Sequence, residues 1–372
     1  MYDKFLEYFE KGLRNENKGI PITNYTKLGN LTANIQQSRY WLIGGASGTG
    51  KTSFVDDIFV IDVFDWFIKE GQFTDIKLNV IYNSMERHWR YKIAKWAVLK
   101  LYKDTGKLIS NTTLVGEVNE NDEDNRKDLE FVRQNRKLVH SYKDYFDKLF
   151  QHLIIYSGAI NPTGLYKRCT EFATKVGEKV PHKYGFDYNF HNPNQFVFVI
   201  NDHVGKLQSE KGLNDKGILD VHSEYMGILR EKYLFTVFDI VQFNRNLNDS
   251  QRKSNQDMYP TTADFKGTND SVENSDFILA LFNPYKHNLR NFNGYNTEDF
   301  ISDKGHNRFR SLSLLKNSYG ADDIDFGLGF LGEIGKFYEL PTAEDLKNPI
   351  VKNQINEKLH LSKEVRKFKL NY

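Results

Sequence analysis

The residues best suited to chemistry are eight consecutive ones that match the pattern G-x-x-x-x-G-K-[ST] in full. They are Gly45-Ala46-Ser47-Gly48-Thr49-Gly50-Lys51-Thr52, and Ser53 follows them. Glycines let successive backbone N–H groups turn toward a polyphosphate, a lysine reaches its β- and γ-phosphates, and a threonine hydroxyl binds Mg²⁺. An apolar run at residues 40–43 precedes this loop, and a helical pattern with Val55, Phe59, Val63, Trp66 and Phe67 on one face follows it. A loop between a buried strand and a helix N-terminus predicts a nucleoside triphosphate site.

Polar residues at the ends of other predicted strands are candidates for the same site. Asp202 follows the apolar run at residues 195–200, Glu86 follows a strand at residues 78–82, and Gln242 follows one at residues 235–241. Ligands bind at the carboxyl ends of parallel strands. We therefore expect Asp202 to hold Mg²⁺ together with Thr52, Glu86 to polarise the attacking water, and Gln242 to contact the γ-phosphate.

The elements that position these residues alternate as in an α/β protein. An amphipathic helix is expected at residues 2–15, a helical excursion from the sheet at about 102–151, and further strands at 153–156 and 277–281. Trp89, Ile93, Trp96 and Ala97 are expected to form one buried helix face after the second strand. The pattern predicts a mostly parallel sheet flanked by helices.

Composition narrows the class of protein without naming a function. The 372 residues, 39% of them hydrophobic, suffice for a large core. The single Cys169 excludes an intramolecular disulfide and a cysteine-rich zinc site. No signal-peptide pattern or long apolar run occurs, so we expect a cytoplasmic protein without membrane insertion. The net charge of +2 gives no overall nucleic-acid footprint, so nucleic-acid binding would need local basic loops.

A set of short motifs, taken in chain order, resembles the RecA-like motor domain of DnaB-type replicative helicases. The resemblance runs from about residue 16 to residue 341 and best fits a phage or plasmid member, because about 40 residues precede the first strand of the core. The motifs are Gly19-Ile20-Pro21, Asn83-Ser84-Met85-Glu86, Val199-Ile200-Asn201-Asp202-His203-Val204, Val241-Gln242-Phe243-Asn244-Arg245, Ala263-Asp264-Phe265-Lys266 with Glu273-Asn274-Ser275-Asp276, and Leu315-Lys316-Asn317 with Phe330-Leu331-Gly332-Glu333.

The resemblance implies a RecA-like P-loop NTPase core at residues 19–341 with a C-terminal β-hairpin, a linker helix at 1–18 and a charged tail at 342–372. It implies a hexameric 5′-to-3′ DNA helicase that uses ATP or another NTP with Mg²⁺, and a primase or helicase loader as a further partner. Glu86 would be the catalytic glutamate, Gln242 the γ-phosphate sensor and Lys316 a lysine acting across the subunit interface. Loops after the third and fourth strands would bind single-stranded DNA; their basic candidates are Lys206, Lys211, Lys216, Arg245, Arg252 and Lys253.

One departure from the family pattern keeps other functions open. Ser318 stands where the family has an arginine that acts on a neighbour's γ-phosphate, and Arg308 or Arg310 are the candidates to replace it. The alternatives are a RecA- or RadA-like recombinase that forms filaments on DNA, a signalling or clock-type ATPase without basic pore loops, and a weakly hydrolysing P-loop protein that serves as a structural or loading partner in replication.

Overall fold

The central sheet determines where the candidate residues lie. The computed structural model describes residues 2–14, 18–244, 252, 258–265 and 269–362, so the DNA-binding predictions for Arg245 and Lys253 lie outside the described residues. The strands in this part of the chain are β1 (Tyr40–Gly45), β2 (Lys77–Ser84), β3 (Leu153–Ser157), β4 (Gly177–His182), β5 (Gly185–Phe190), β6 (Gln195–Asp202), β7 (Thr236–Gln242), β8 (Phe277–Phe282), β9 (Asn291–Phe292), β10 (Tyr295–Asn296), β11 (Phe309–Asn317), β12 (Ile324–Leu331) and β13 (Lys336–Glu339).

Helices cover both faces of the sheet. A π-helical segment (Asp56–Asp62) joins the third and fourth of them into one continuous helix. The helices of the described residues are α1 (Tyr2–Leu13), α2 (Thr26–Thr32), α3 (Lys51–Val55), α4 (Val63–Lys69), α5 (Trp89–Thr105), α6 (Asn111–Leu114), α7 (Glu123–Gln134), α8 (Arg136–Ser141), α9 (Lys143–His152), α10 (Pro162–Val176), α11 (Asp215–Tyr233), α12 (Asn269–Asn274) and α13 (Pro349–Lys358).

Nine of the strands in the described residues form one sheet in the order β13-β12-β11-β8-β1-β7-β6-β2-β3. The six strands from β8 to β3 run parallel, whereas β11, β12 and β13 add antiparallel pairings at one edge. Every residue of β1 and β6 is buried, as parallel strands covered on both faces require. The predicted fold class, a mostly parallel sheet with a C-terminal hairpin, is confirmed.

Aromatic rings fill the space between the sheet and the helix that follows the phosphate loop. The ring of Trp41 on β1 stacks on Phe277 of β8 with centroids 4.2 Å apart, and Phe59 lies 4.5 Å from Phe238 of β7. Stacked and tilted ring pairs at such distances stabilise a core beyond the area that they bury. The predicted helix face therefore packs on the sheet as expected, with Trp66 only half-buried.

The structure differs from the sequence-based expectations in three places. Trp89 does not join the buried face of α5, because it lies in the first turn of the helix with 42% of its surface exposed. The hairpin β4–β5 was not predicted, since most of its residues are exposed and give no apolar pattern. Chain beyond residue 341 also packs on the core: Leu359, directly after α13, is fully buried, and its side chain fills the space beside Gly329.

The expected helical excursion consists of α6, α7, α8 and α9, which lie between β2 and β3 in the chain. Of the helices in the described ranges, none has the length and apolar character needed to cross a membrane.

Candidate active site

The phosphate loop has a backbone that only glycine permits at two positions. Gly48 and Gly50 have φ angles of +74° and +103°, in the left-handed region that other residues avoid. A Cβ atom on Gly50 would also lie 2.9 Å from the ring of Phe330. The loop thus leads from the end of β1 directly into α3, whose first turn has free N–H groups available for an anion.

Lys51 lies folded back on this loop. Its ammonium donates hydrogen bonds to the carbonyl oxygens of Gly45 at 2.7 Å and Ala46 at 2.9 Å. Burial lowers the pKa of Lys51 to about 8, although the carboxylates of Asp202 and Glu86 oppose this change. A phosphate group is a stronger acceptor than a carbonyl and would stabilise the buried charge.

The residues predicted from separate motifs line a single cavity of about 240 Å³. Sheet register explains their meeting, because Gly45 pairs with Gln242 on β7, and Asp202 on β6 pairs with Ser84 just before Glu86. The described residues that line this cavity are Ser47, Gly48, Gly50, Lys51, Thr52, Ser53, Asp56, Glu86, Arg87, Tyr91, Lys92, Lys95, Asn111, Asp202, His203, Ile240 and Gln242.

Thr52 and Asp202 form the part of the cavity that fits Mg²⁺. The Thr52 hydroxyl donates to the Asp202 Oδ1 atom at 2.9 Å, so the two predicted metal ligands are already adjacent. Asp56 also lines the cavity, and its Oδ2 atom is buried without a hydrogen-bond partner among the described residues. Hydroxyl and carboxylate oxygens beside bound phosphates are the donors that Mg²⁺ prefers.

Glu86 is open to the cavity at the end of β2. Its carboxylate is half-exposed and lies 3.7 Å from the Nε2 atom of His203. Burial lowers the pKa of His203 below its usual value, against the opposing effects of Glu86 and Asp202. The imidazole is therefore mostly neutral at pH 7, and the Glu86 carboxylate keeps its basicity toward a water molecule.

Lys92 on α5 is a member of the site that the sequence analysis missed. Its ammonium, buried below the cavity, lies 2.8 Å from Asp202 Oδ2 and 3.5 Å from Asp56 Oδ1. The hydroxyl of Tyr82 donates to Asp56 at 2.7 Å and accepts from Lys92 at 2.6 Å. One signal was available in the sequence: Lys92 shares a helix face with Trp96 and Leu99, both of which are buried.

This network sets the charges of the buried carboxylates. Burial alone would raise the pKa of Asp202, but Lys92 and the Thr52 hydroxyl hold it below the usual value. Burial does raise the pKa of Asp56, and Lys92 offsets that only in part. Burial would lower the pKa of Lys92, yet the two carboxylates together raise it. Asp202 is thus kept ionised where a metal ligand must be.

Replacing Lys92 by methionine should destabilise the folded protein by about 3–5 kcal/mol at neutral pH, because the volume remains while two buried carboxylates lose their cation. Urea denaturation measures the change. The control is Lys127→Met, which breaks an exposed 2.7 Å ion pair with Glu123 and should change stability by less than about 1 kcal/mol. Equal, small losses in both variants would show that Lys92 does not hold the carboxylates.

Lys95, one turn beyond Lys92, brings a second missed ammonium to the cavity. It donates to the Ser53 hydroxyl at 2.6 Å, next to the predicted metal ligand Thr52. Burial lowers the pKa of Lys95 to about 8, with Asp56 opposing the change. The predicted phosphate-contacting residue Ser53 is therefore held by a lysine from another helix.

The register of β11 separates Lys316 from the phosphate loop of its own chain. Lys316 pairs with Ile278 near the amino end of β8, whereas Gly45 pairs with Leu281 near the other end. The Lys316 ammonium donates to the carbonyl oxygens of Val272 at 3.0 Å and Glu273 at 2.9 Å. It does not line the cavity, a placement compatible with the predicted action on a neighbouring subunit.

Neither candidate to replace the missing arginine is presented to a neighbour. Arg308 is buried and paired through both terminal nitrogens with Glu333. Arg310 is also buried, and its Nε donates to the carbonyl of Thr49 in its own phosphate loop at 3.1 Å. Ser318 makes a backbone hydrogen bond to Asp276 and brings no charge. The two arginines therefore support the structure of their own protomer.

The described DNA-binding candidates fall into two groups. Lys206, Lys211 and Lys216 are all exposed on the segment between β6 and the first turn of α11. Arg252 instead lies 2.6 Å from the buried carboxylate of Asp264 and donates to the carbonyl of Tyr259 at 2.6 Å. These contacts neutralise Arg252 within the chain, so the three lysines are the better placed group.

Comparison with solved structures shows what this fold resembles. The chain superposes on a solved structure of an isolated ATPase domain with a TM-score of 0.60 at 15% identity, covering 92% of this chain and 99% of that one. A second structure, "The Structure Of A DnaB-Like Replicative Helicase And Its Interactions With Primase", gives a TM-score of 0.59 at 15% identity over 87% of this chain and 64% of that one. No family model and no curated protein matches the sequence. The chain has the RecA-like fold of DnaB-like helicase ATPase domains.

Proposed function

We propose that this chain is an ATP-hydrolysing motor that moves along single-stranded DNA as a ring and unwinds DNA during replication. The observation that carries this proposal is the meeting of Lys51, Thr52, Glu86, Asp202 and Gln242 around one cavity, although four separate segments supply them. The fold shared with a DnaB-like helicase supports the DNA-directed part of the proposal. A P-loop alone would support only nucleotide binding.

In the proposed reaction, Lys51 leaves the carbonyls of its own loop and binds the β- and γ-phosphates. Glu86 orients a water molecule whose oxygen bonds to the γ-phosphorus while the bond to the bridging oxygen of the β-phosphate breaks. The electron pair stays on ADP, the water proton passes to Glu86, and inorganic phosphate leaves. Gln242 donates its side-chain amide to the γ-phosphate and loses that contact after hydrolysis. Mg²⁺ held by Thr52 and Asp202 would neutralise phosphate charge.

A second cavity, of about 480 Å³, adjoins the phosphate loop at Gly48 and has room for the base and ribose. Tyr285 and Phe330 contribute aromatic rings to its lining, and Lys286 and Glu333 contribute charge. Aromatic rings with a few polar groups are typical of nucleoside recognition. ATP is the nucleotide that we propose.

The ring requires contacts that one protomer leaves unused. Tyr2, Phe5, Leu6, Phe9 and Leu13 on α1 each expose more than 40% of their surface, which leaves an apolar helix face without a cover. We propose that α1 docks on the adjacent protomer and that Lys316 reaches the adjacent ATP. A primase or a helicase loader is the further partner that fits such a motor.

Unwinding of a forked DNA with ATP, combined with negative-stain imaging, tests this function. The expected result is ATP-dependent strand separation by closed rings. Filaments along DNA would instead support the recombinase alternative. Closed rings that bind ATP but hydrolyse it feebly would support the weakly hydrolysing loading partner, which the uncharged Ser318 favours as the second candidate.

Replacing Lys206, Lys211 and Lys216 together by alanine should weaken single-stranded DNA binding by more than tenfold at low salt, regardless of sequence. Each phosphate contact adds about 0.7 to the slope of log affinity against log salt, so the slope should fall by about 2. Fluorescence anisotropy at several salt concentrations measures both quantities.

The matched control replaces three exposed lysines elsewhere, Lys127, Lys143 and Lys347, and removes the same total charge. This control should bind DNA almost as tightly as the unaltered protein. If both triple variants lose affinity equally, the effect is one of net charge, and the loop between β6 and α11 is not the DNA contact.

A further inference from the structure

The active-site cavity contains an arginine that neither the family resemblance nor the reaction described above uses. Arg87 directly follows Glu86 in the turn between β2 and α5, and it lines the cavity together with Lys51 and Asp202. Within the described ranges, the guanidinium of Arg87 forms no hydrogen bond or ion pair, whereas Lys92 and Lys95 both have partners. A charged group that faces a phosphate site without a partner is available to a ligand.

The backbone that carries Arg87 is fixed to the site. The Ser84 hydroxyl donates to the carbonyl of Arg87 at 2.7 Å, and the backbone N–H of Met85 donates to the carbonyl of Asp202 at 2.8 Å. The next turn is held as well, because the N–H of Trp89 donates to the Ser157 hydroxyl at 3.0 Å. Arg87 is therefore an exposed side chain on an anchored base, beside the group that we propose to activate water.

Arg87 also lies close to the wall where phosphates bind. Besides burial and Lys92, the positive charge of Arg87 contributes to the lowered pKa of Lys95, whose ammonium contacts Ser53 at the start of α3. Two positive groups that disfavour each other are both stabilised when an anion enters between them. The γ-phosphate end of a nucleotide on Lys51 and Thr52 is such an anion.

The site has a need that Arg87 can meet. Hydrolysis of ATP places developing negative charge on the γ-phosphate, and an arginine there is worth a factor of about 10³–10⁵ in turnover. In the described residues, Arg308 and Arg310 are buried on internal partners, and Ser318 is uncharged. The planar guanidinium of Arg87 can bind two phosphate oxygens at once.

We propose that Arg87 contacts the γ-phosphate of the ATP bound to its own protomer and stabilises the charge that develops during hydrolysis. This assignment rests on the proposed ATPase function. It makes the arginine act within one protomer, from the turn beside Glu86, rather than across the subunit interface. Lys316 remains the group proposed to come from the neighbour.

Steady-state ATP hydrolysis with nucleotide-binding measurements tests the role of Arg87. In Arg87→Ala, kcat should fall by about 10²-fold or more, while ATP affinity changes by less than about tenfold, because the contact forms mainly in the transition state. Binding of ADP with aluminium fluoride, which mimics the transferring phosphoryl group, should weaken by a factor similar to that in kcat. Arg87→Lys should recover only part of the loss.

Arg90→Ala is the matched control, since Arg90 is an exposed arginine in the first turn of α5 that does not line the cavity. It should keep the unaltered kcat. Circular dichroism and urea denaturation check that both alanine variants are folded. Unchanged kcat and unchanged aluminium fluoride binding in folded Arg87→Ala would overturn the proposal.

Mixed assemblies decide whether Arg87 acts within its own protomer. An Arg87→Ala subunit keeps Lys51, and a Lys51→Ala subunit keeps Arg87, so no protomer of the mixture has both groups. The mixture should therefore stay inactive. Recovery of ATPase activity would show action across the interface and overturn the assignment to the same protomer.

Failure of the proposed function gives a different result. An unaltered protein that neither hydrolyses nor binds ATP would reject the ATPase itself and, with it, this role of Arg87. If the unaltered protein binds ATP without hydrolysing it, only the ATPase fails, and Arg87→Ala should then lower ATP affinity more than ADP affinity. An equal effect on both nucleotides would show that Arg87 does not contact the γ-phosphate.

Discussion

Lys51→Ala should reduce ATP affinity by at least about 10²-fold, whereas Glu86→Gln should keep that affinity and reduce turnover by about 10²–10⁴-fold. Lys51 is the buried ammonium whose present partners, the carbonyls of Gly45 and Ala46, are weak substitutes for phosphate. Glu86 lies at the open end of the cavity with only His203 near it, so its loss removes help to the attacking water and little binding.

Titration with a fluorescent ATP analogue and steady-state phosphate release measure the two effects separately. Lys127→Ala, which replaces an exposed lysine on α7, is the control and should match the unaltered protein in both. If Glu86→Gln loses ATP affinity as severely as Lys51→Ala, then Glu86 is a binding residue and not the group that activates water. If Lys51→Ala retains tight binding, the phosphate loop is not the nucleotide site.

Short contiguous motifs made the core of the site predictable. The phosphate loop, Asp202 and Gln242 each lie at the end of an apolar strand, and parallel strands bring their carboxyl ends to one edge. The fold class followed from the same strands, because their long apolar runs require cover on both faces. Local sequence and sheet geometry are sufficient for this part.

The rest of the site depends on contacts between distant segments. Lys92 and Asp56 come together only when α5 packs against the helix after the phosphate loop, and a lysine on a helix is usually solvated. Arg252 resembled a DNA contact in the sequence, yet Asp264 occupies its guanidinium. Hairpin β4–β5 escaped prediction since its exposed residues carry no apolar alternation. Only the packed structure supplies such information.

Mixing Lys51→Ala subunits with Lys316→Ala subunits should restore ATPase activity that neither variant has alone. In the proposed ring, a site joins the phosphate loop of one protomer to Lys316 of the next, so some mixed interfaces regain both groups. The strand register supports this arrangement, because Lys316 pairs with Ile278 while the phosphate loop follows Gly45 at the opposite end of the sheet. Phosphate release at varied mixing ratios measures the recovery.

The apolar face of α1 gives an independent test of the same ring. Phe5→Glu with Phe9→Glu should dissociate the assembly, because four uncovered side chains, Phe5, Leu6, Phe9 and Leu13, contribute on the order of several kcal/mol per interface when buried. Glu10→Gln, on the same helix, should leave it intact. Light scattering gives the mass, and circular dichroism shows that the core stays folded. An oligomer that survives the double substitution, or a mixture that stays inactive while the unaltered protein hydrolyses ATP, would contradict shared sites between protomers.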